Sequence, residues 1–448
     1  MTAAPVQSPL STSGRYIVDA HGRRVRLAGV NWYGAHEDDG VAAGLERTGR
    51  RALAKRIARH GFNSVRLPFS LWMTEQTTPV PDEYLAANPD LSGATPIQVY
   101  DACVEALTGA GLIVIPNCHT LDAGWCCSER DESGMWFNDR WPAAKFFAAW
   151  QSIAERYKAD PLVAGMDIMN EPRRSRVGGR VLTPTWGTGP GTDIAAMYTA
   201  VGNLIHEVSP HLLIICEGLG FAADLTGVAR HPVRLERPGK VVYSLHDYSW
   251  FHPAGQPRSA YFDQMRQAGG YLMDEGIAPL WIGEFGNDTR SLDNFGRAAS
   301  PAAGWWINVE AWLTEHDVDW CWWPLNPTQP RGTVPVTGQH RSRWGDREHW
   351  GLLAPDWRGV ANPEVLDILK ALIPPRTGPP RHVTGRLTGQ PSLGSTSAAS
   401  RSICSRWSNS AVNKMSSAPA VATWFTSRTQ SATVPANAAA SMTGTRCP

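Results

Sequence analysis

Two glutamates carry the first suggestion of chemistry. Glu171 closes the run Val163-Ala-Gly-Met-Asp-Ile-Met-Asn-Glu-Pro172, and Glu284 closes the strand of Pro279-Leu-Trp-Ile-Gly-Glu-Phe-Gly286. A near-continuous apolar run is how a parallel strand buried on both faces reads. Pro172 lacks an N–H and turns the residue before it away from helix, so strand gives way to loop at Glu171. Two carboxyl groups at two strand ends are the pair that hydrolysis of a glycosidic bond needs, one protonated and one ionised.

Other polar side chains stand at the ends of neighbouring apolar runs: Arg66-Leu-Pro68, Asn117-Cys-His119-Thr-Leu-Asp122, Asn170, His246-Asp-Tyr248 and Trp320-Cys-Trp-Trp323-Pro-Leu-Asn326. Singly each is ordinary: a lone Arg is more often an ion-pair partner, a lone His a hydrogen-bonded core residue, and Asn-Glu-Pro a plain turn. Together they open on one face. There Arg66 is placed to keep Glu284 ionised, and Tyr248 to donate to it. Asn170 is placed to donate to a sugar 2-hydroxyl, a contact that strengthens in the transition state. His119 and His246 would line the sugar site, and Trp323 would form an aromatic platform beneath the ring.

Something must hold these ends together. Apolar strands are expected at 25–31, 64–69, 112–119, 163–171, 212–217, 241–248, 280–284 and 319–326. Amphipathic helical patterns lie between them at 51–60, 97–109, 142–157, 194–208, 261–275 and 305–316, with a last helix at 363–372. Gly61 and Gly111 stand where helix C-caps belong, and Pro142 suits a first helical turn. Strands alternating with helices predict an α/β fold, a (β/α)8 TIM barrel. A doubly wound sheet would show a Gly-rich phosphate loop after its first strand, where this chain has Asn31-Trp-Tyr-Gly34. Tyr16-Ile-Val-Asp19 and Arg24-Val-Arg26 read as a hairpin closing the bottom of the barrel. Residues 1–14 are expected to be a flexible arm, 15–373 the catalytic barrel, and 374–448 a Ser/Thr/Ala/Pro-rich linker or disordered tail. That last stretch has no Asp or Glu and few large aliphatics, too little apolar surface to offset its chain entropy.

Composition narrows the partners. A net charge of +1 gives no reason to expect nucleic acid or an anionic membrane. No apolar run approaches the ~20 residues of a membrane helix. Against 10 Tyr and 11 Phe the chain carries 20 Trp, flat rings suited to stacking on sugar faces. Trp32, Trp72, Trp125, Trp136, Trp250 and Trp344 follow strands and are candidate subsite platforms. The 8 Cys fit neither a zinc pattern nor a dense disulfide framework, and Cys126-Cys127 are adjacent, either bonded or free.

The set Arg66-Leu-Pro, His119, Asn170-Glu171-Pro, His246-Asp-Tyr248, Glu284-Phe-Gly and Trp323 closely resembles glycoside hydrolase family 5, the cellulase family A, over roughly residues 15–373. The resemblance implies a (β/α)8 fold, retention of anomeric configuration and no cofactor or metal. It makes Glu171 the acid/base and Glu284 the nucleophile, with Arg66, His119, Asn170, His246, Tyr248 and Trp323 in support. The expected substrate is a β-linked polysaccharide or oligosaccharide, first an endo-β-1,4-glucan, alternatively mannan, galactan or another β-glycan. A monomer is expected, without nucleic acid or membrane partners. Such an enzyme acts outside the cell, although no basic and apolar leader is visible at Met1-Thr-Ala-Ala-Pro5. Pro116-Asn117 replaces an acid that many relatives carry two residues before the histidine, and the loop from Gly124 to Trp136 is long and polar. A more distant alternative is a metal-dependent barrel hydrolase on His119, Asp122, His246 and Asp247, weakened because no His-x-His follows the first strand. His36-Glu-Asp-Asp39 reads as a solvated acidic loop in preference to a cation site.

Overall fold

The computed structural model describes residues 6–128, 131–189, 191–296, 300–331 and 342–373; over 330–331 and 342–344 only the backbone is described. The expected tail at 374–448 lies outside the described residues, as does the Trp344 side chain.

Parallel strands β1 (Ala28–Asn31), β2 (Ser64–Ser70), β3 (Ile113–Thr120), β4 (Gly165–Asp167), β5 (Leu213–Glu217), β6 (Val241–Asp247), β7 (Leu280–Phe285) and β8 (Asp319–Trp322) pair in that order. The ring closes where β8 meets β1, Trp320 beside Ala28 and Trp322 beside Val30. This is the (β/α)8 barrel expected. Helices α1 (Arg50–Arg59), α2 (Pro96–Thr108), α3 (Ala143–Tyr157), α4 (Ile194–Val208), α5 (Arg258–Met265), α6 (Pro301–Glu315) and α7 (Pro363–Leu372) surround it. Their starts carry the expected chemistry: Thr95 and Gln98 form a capping box on α2, and the Asp193 carboxylate accepts the first free amides of α4. Gly61 sits just beyond α1 at φ 99°, a left-handed position that only glycine takes without cost. Between β5 and β6 stand only short turns, among them Thr226–Ala229.

Inward side chains divide the barrel in two. Near the strand starts, Leu27, Ile113, Ile115, Leu213, Ile215, Val242 and Trp281 form one apolar cluster with Leu10, Ile17 and Val25 from the N-terminal segment. That segment is the bottom plug. Its hairpin pairs Ser11–Ser13 with Tyr16–Val18, and a further bridge joins Val18 to Arg24. The flexible arm expected through residue 14 is therefore corrected from Leu10 onward: Leu10 is buried because its side chain fills the barrel floor. Arg24 pins the plug through a buried ion pair, Nη1 to Asp319 Oδ2 at 2.8 Å. Near the strand ends the inward positions are polar, and the candidate site lies there.

Candidate active site

Arg66 on β2 is the centre of the polar end. It is fully buried, and each of its five N–H groups has an acceptor. Nε donates to Asp167 Oδ2 at 2.7 Å, and Nη1 to Asn31 Oδ1 at 3.1 Å and Glu284 Oε1 at 2.5 Å. Nη2 donates to Asn170 Oδ1 at 2.6 Å and Glu217 Oε1 at 2.9 Å. One rigid guanidinium thus sets side chains from β1, β4, β5 and β7 against one another. Its acidic neighbours outweigh burial and hold it firmly protonated.

Glu284 receives a second donor, Tyr248 Oη to Oε2 at 2.9 Å. Glu171 faces it: one oxygen from each carboxylate and a ring nitrogen of His246 lie within 4.8 Å of one another. His246 Nδ1 is 2.9 Å from Glu171 Oε1 and 3.7 Å from Glu284 Oε2. Gly283 leaves room for that ring, since a Cβ there would meet His246 Nε2 at 3.0 Å. Glu171 adopts φ 47°, a left-handed conformation that costs a non-glycine residue ~1–3 kcal/mol and persists only when its surroundings enforce it. They do so from both sides. Its amide donates to Glu217 Oε2 at 2.6 Å, and its carbonyl accepts from Arg173 Nη1 at 2.8 Å.

Environment separates the protonation states. Burial raises the Glu171 carboxyl, with the His246 hydrogen bond opposing and the Glu284 charge adding to the rise. Burial would also raise Glu217, but His246, Arg66 and the Glu171 amide reverse this and hold it at about 2. Asp167 is pushed up by burial and then by the neighbouring Glu217 charge. His246 would be lowered by burial, yet Glu284, Glu217 and Glu171 keep it well above an ordinary histidine. His119 goes the other way, held neutral by burial and the nearby cationic groups.

The remaining expected residues divide. Trp323 is half-buried, parallel to the rings of Tyr33 at 5.0 Å and His119 at 5.5 Å, so a flat stack lines the cleft. Trp250 is 48% exposed and stacks on Tyr248 at 4.5 Å, while Trp125 packs edge-on against Tyr33. Trp32 and Trp136 are corrections. Trp32 is fully buried in the outer core, its Nε1 donating to Ala43 O, because Asn31 points inward and a strand alternates. The same alternation turns Tyr33, not singled out from the sequence, toward the cleft. Trp136 is buried in the core cluster as well. Glu217 was also overlooked, although it ends an apolar strand as plainly as Glu284 does. The four residues of the metal alternative do not converge. Asp247 faces outward to Tyr261, Trp305 and His252, and Asp122 is bound by Trp141. Among the described residues, two groups could hold a cation, Glu171–His246–Glu284 and His119–Cys126–Cys127.

The family model for cellulase (glycosyl hydrolase family 5) matches residues 18–329. An endoglucanase of Paenibacillus polymyxa is 29% identical over 394 residues, covering 83% of this chain and 89% of the relative. The catalytic domain of the major endoglucanase from Xanthomonas campestris pv. campestris superposes with a TM-score of 0.66 at 25% identity, over 81% of this chain and 99% of that one. A Pyrococcus horikoshii endocellulase in complex with cellotetraose gives 0.67 at 25% identity, over 82% and 100%. The chain belongs to glycosyl hydrolase family 5 and is an O-glycosyl hydrolase.

Proposed function

We propose that the chain is a retaining endo-β-1,4-glucanase working by double displacement, with Glu284 as nucleophile and Glu171 as acid/base. The observation that carries this reading is the meeting of the two carboxylates within 4.8 Å. Retaining enzymes place theirs ~5–5.5 Å apart, whereas inverting ones leave ~6.5–9.5 Å for a water. Arg66 and Tyr248 each donate to a different oxygen of Glu284, which aims the carboxylate. Burial raises the Glu171 carboxyl, the direction a proton donor needs. Glu171 gives a proton to the glycosidic oxygen while Glu284 bonds to the anomeric carbon and the aglycone alcohol departs. The Glu171 carboxylate then takes a proton from the water that cleaves the glycosyl ester. Asn170 donates to the 2-hydroxyl, His119 accepts from another hydroxyl, and Trp323 carries the ring face. The relatives named as endoglucanases and the neighbour bound to cellotetraose support a β-1,4-glucan substrate. A polymer of that size places the enzyme's action outside the cell.

Reducing ends released from soluble cellulose derivatives, mannan, galactan and xyloglucan test the substrate. Fastest release from the β-1,4-glucan is expected, and a preference for mannan or galactan overturns it. Glu171→Gln should lower glucan hydrolysis by ~10²–10⁴-fold while sparing aryl glycosides whose leaving group needs no proton.

A further inference from the structure

Beside the paired glutamates the cleft holds two cysteines, next to His119, for which the proposed glycoside cleavage has no use. A ring nitrogen of His119 and the sulfurs of Cys126 and Cys127 lie within 4.8 Å of one another. Cys126 is buried and Cys127 half-buried, and a disulfide joins them. Asn170 Nδ2 donates to both sulfurs, at 3.3 and 3.2 Å, so the pair lies against the neighbour of the acid/base.

The tautomer of His119 follows from its partners. Asn117 Nδ2 donates to Asp167 Oδ2 at 3.0 Å, which leaves Asn117 Oδ1 facing His119 Nδ1 at 2.9 Å. An amide oxygen can only accept, so Nδ1 carries the hydrogen and Nε2 presents a lone pair. A hydrogen bond of this kind at the other ring nitrogen is what fixes a ligating histidine in metal sites.

We infer that reduction of the Cys126–Cys127 disulfide creates a site for a soft divalent cation, built from His119 Nε2 and the two thiolates, which silences the glycosidase when filled. A dithiol reductant supplies two electrons and two protons. The S–S bond breaks, each sulfur takes one proton, and the reductant leaves as its own disulfide. The cation then displaces both thiol protons to water, as thiolate ligation requires. Two sulfurs and one imidazole are a ligand set that zinc and its heavier relatives accept, with a fourth position left for water. Filling it takes away the His119 lone pair and the sulfurs that hold Asn170. The effect on hydrolysis rests on the function proposed above, but the binding does not.

The test uses the full chain, reduced with a dithiol, desalted without oxygen and titrated with cadmium. The expected result is an ultraviolet cadmium–thiolate band that is absent from the oxidised protein and from Cys126→Ser/Cys127→Ser. Glucan hydrolysis should fall about tenfold or more in step with the band, and a chelator should restore it. Should the serine variant not fold, iodoacetamide blocking of the reduced wild type, located at Cys126 and Cys127 by peptide mass, replaces it. Equal bands in wild type and blocked protein would place the metal on other cysteines and overturn the site. A band without loss of hydrolysis overturns the control of activity. Glucan hydrolysis absent even from oxidised protein would count against the proposed function, leaving the cadmium band to be read alone.

Discussion

Ile113, Leu213 and Val242 close the floor of the barrel over Leu10 and Ile17. Four residues further along the same strands the inward side chains are Asn117, Glu217 and His246. The floor removes apolar surface from water, worth ~25 cal/mol per Å², and asks nothing of geometry beyond good packing. The upper end buries Arg66, Asp167, Glu217, His246, Glu171 and Glu284, whose desolvation is offset only by their pairing with one another. It also keeps Glu171 at a positive φ. One end supplies stability, and the other spends part of it on a fixed charge arrangement.

The contrast can be broken from above. Glu284→Ala should lower kcat by ~10⁴-fold or more while leaving the protein folded, and azide should restore turnover with a product of inverted configuration. Azide acts because the alanine leaves space on the nucleophile's side of the sugar. From below the pattern should reverse. Trp281→Ala removes the largest side chain of the floor and should cost ~3–5 kcal/mol of stability, seen as a lower denaturant midpoint. Its kcat per folded molecule should stay near that of the wild type. Should Trp281→Ala abolish turnover in the folded fraction, the division of labour fails.

A smaller effect sharpens the electrostatics. In the proposed role Glu171 acts as the protonated acid, so kcat/KM should persist below its pKa and be lost above it. Burial raises that pKa and His246 opposes the rise. His246→Asn removes the opposing charge, so the alkaline limb should move to higher pH, along with a lower kcat. A limb that disappears would assign it to His246 itself.

The smallest effect concerns Glu348, where Tyr33 Oη donates to Oε2 at 3.1 Å beneath the aromatic stack. Burial lifts its carboxyl to about 7, against the Trp350 amide and Tyr33. Because its unfolded value is ~4.3, its contribution to stability is complete below that and is lost as pH rises through about 7. Glu348→Gln keeps the shape without the titration. Its melting temperature should exceed that of the wild type at pH 8 and match it at about pH 3.5, below the unfolded value.

Much of this molecule was legible in the chain. Alternating strands and helices announced the barrel, and two of the polar groups read at the strand ends, Asn170 and Glu284, are held by Arg66. What escaped reading has a common cause. A parallel strand buried on both faces is apolar throughout, so its inward parity leaves no mark. Trp32 was singled out for the cleft and Tyr33 was not, and the contact of Asn31 with Arg66 reverses the two. Glu217 was passed over because Gly218 and Leu219 follow it, with no polar or aromatic neighbour to draw notice. Its partner, the Glu171 amide, is remote in sequence. Trp136 sits in a long loop whose packing depends on helices the local sequence does not reveal. The floor was half visible: the strand at Tyr16–Val18 could be read, but not that it pairs with Ser11–Ser13 and keeps only a single bridge to Arg24, nor that Leu10 reaches inside.

The central claim is that Glu284 bonds to the sugar while Glu171 serves it with a proton. Inactivation by a 2-fluoro cellobioside with a good leaving group tests it directly, because the fluorine slows release of the glycosyl ester enough to weigh it. The account predicts one sugar adduct per chain, carried on Glu284. An adduct on another residue, or steady turnover to an inverted product with no adduct, would contradict it.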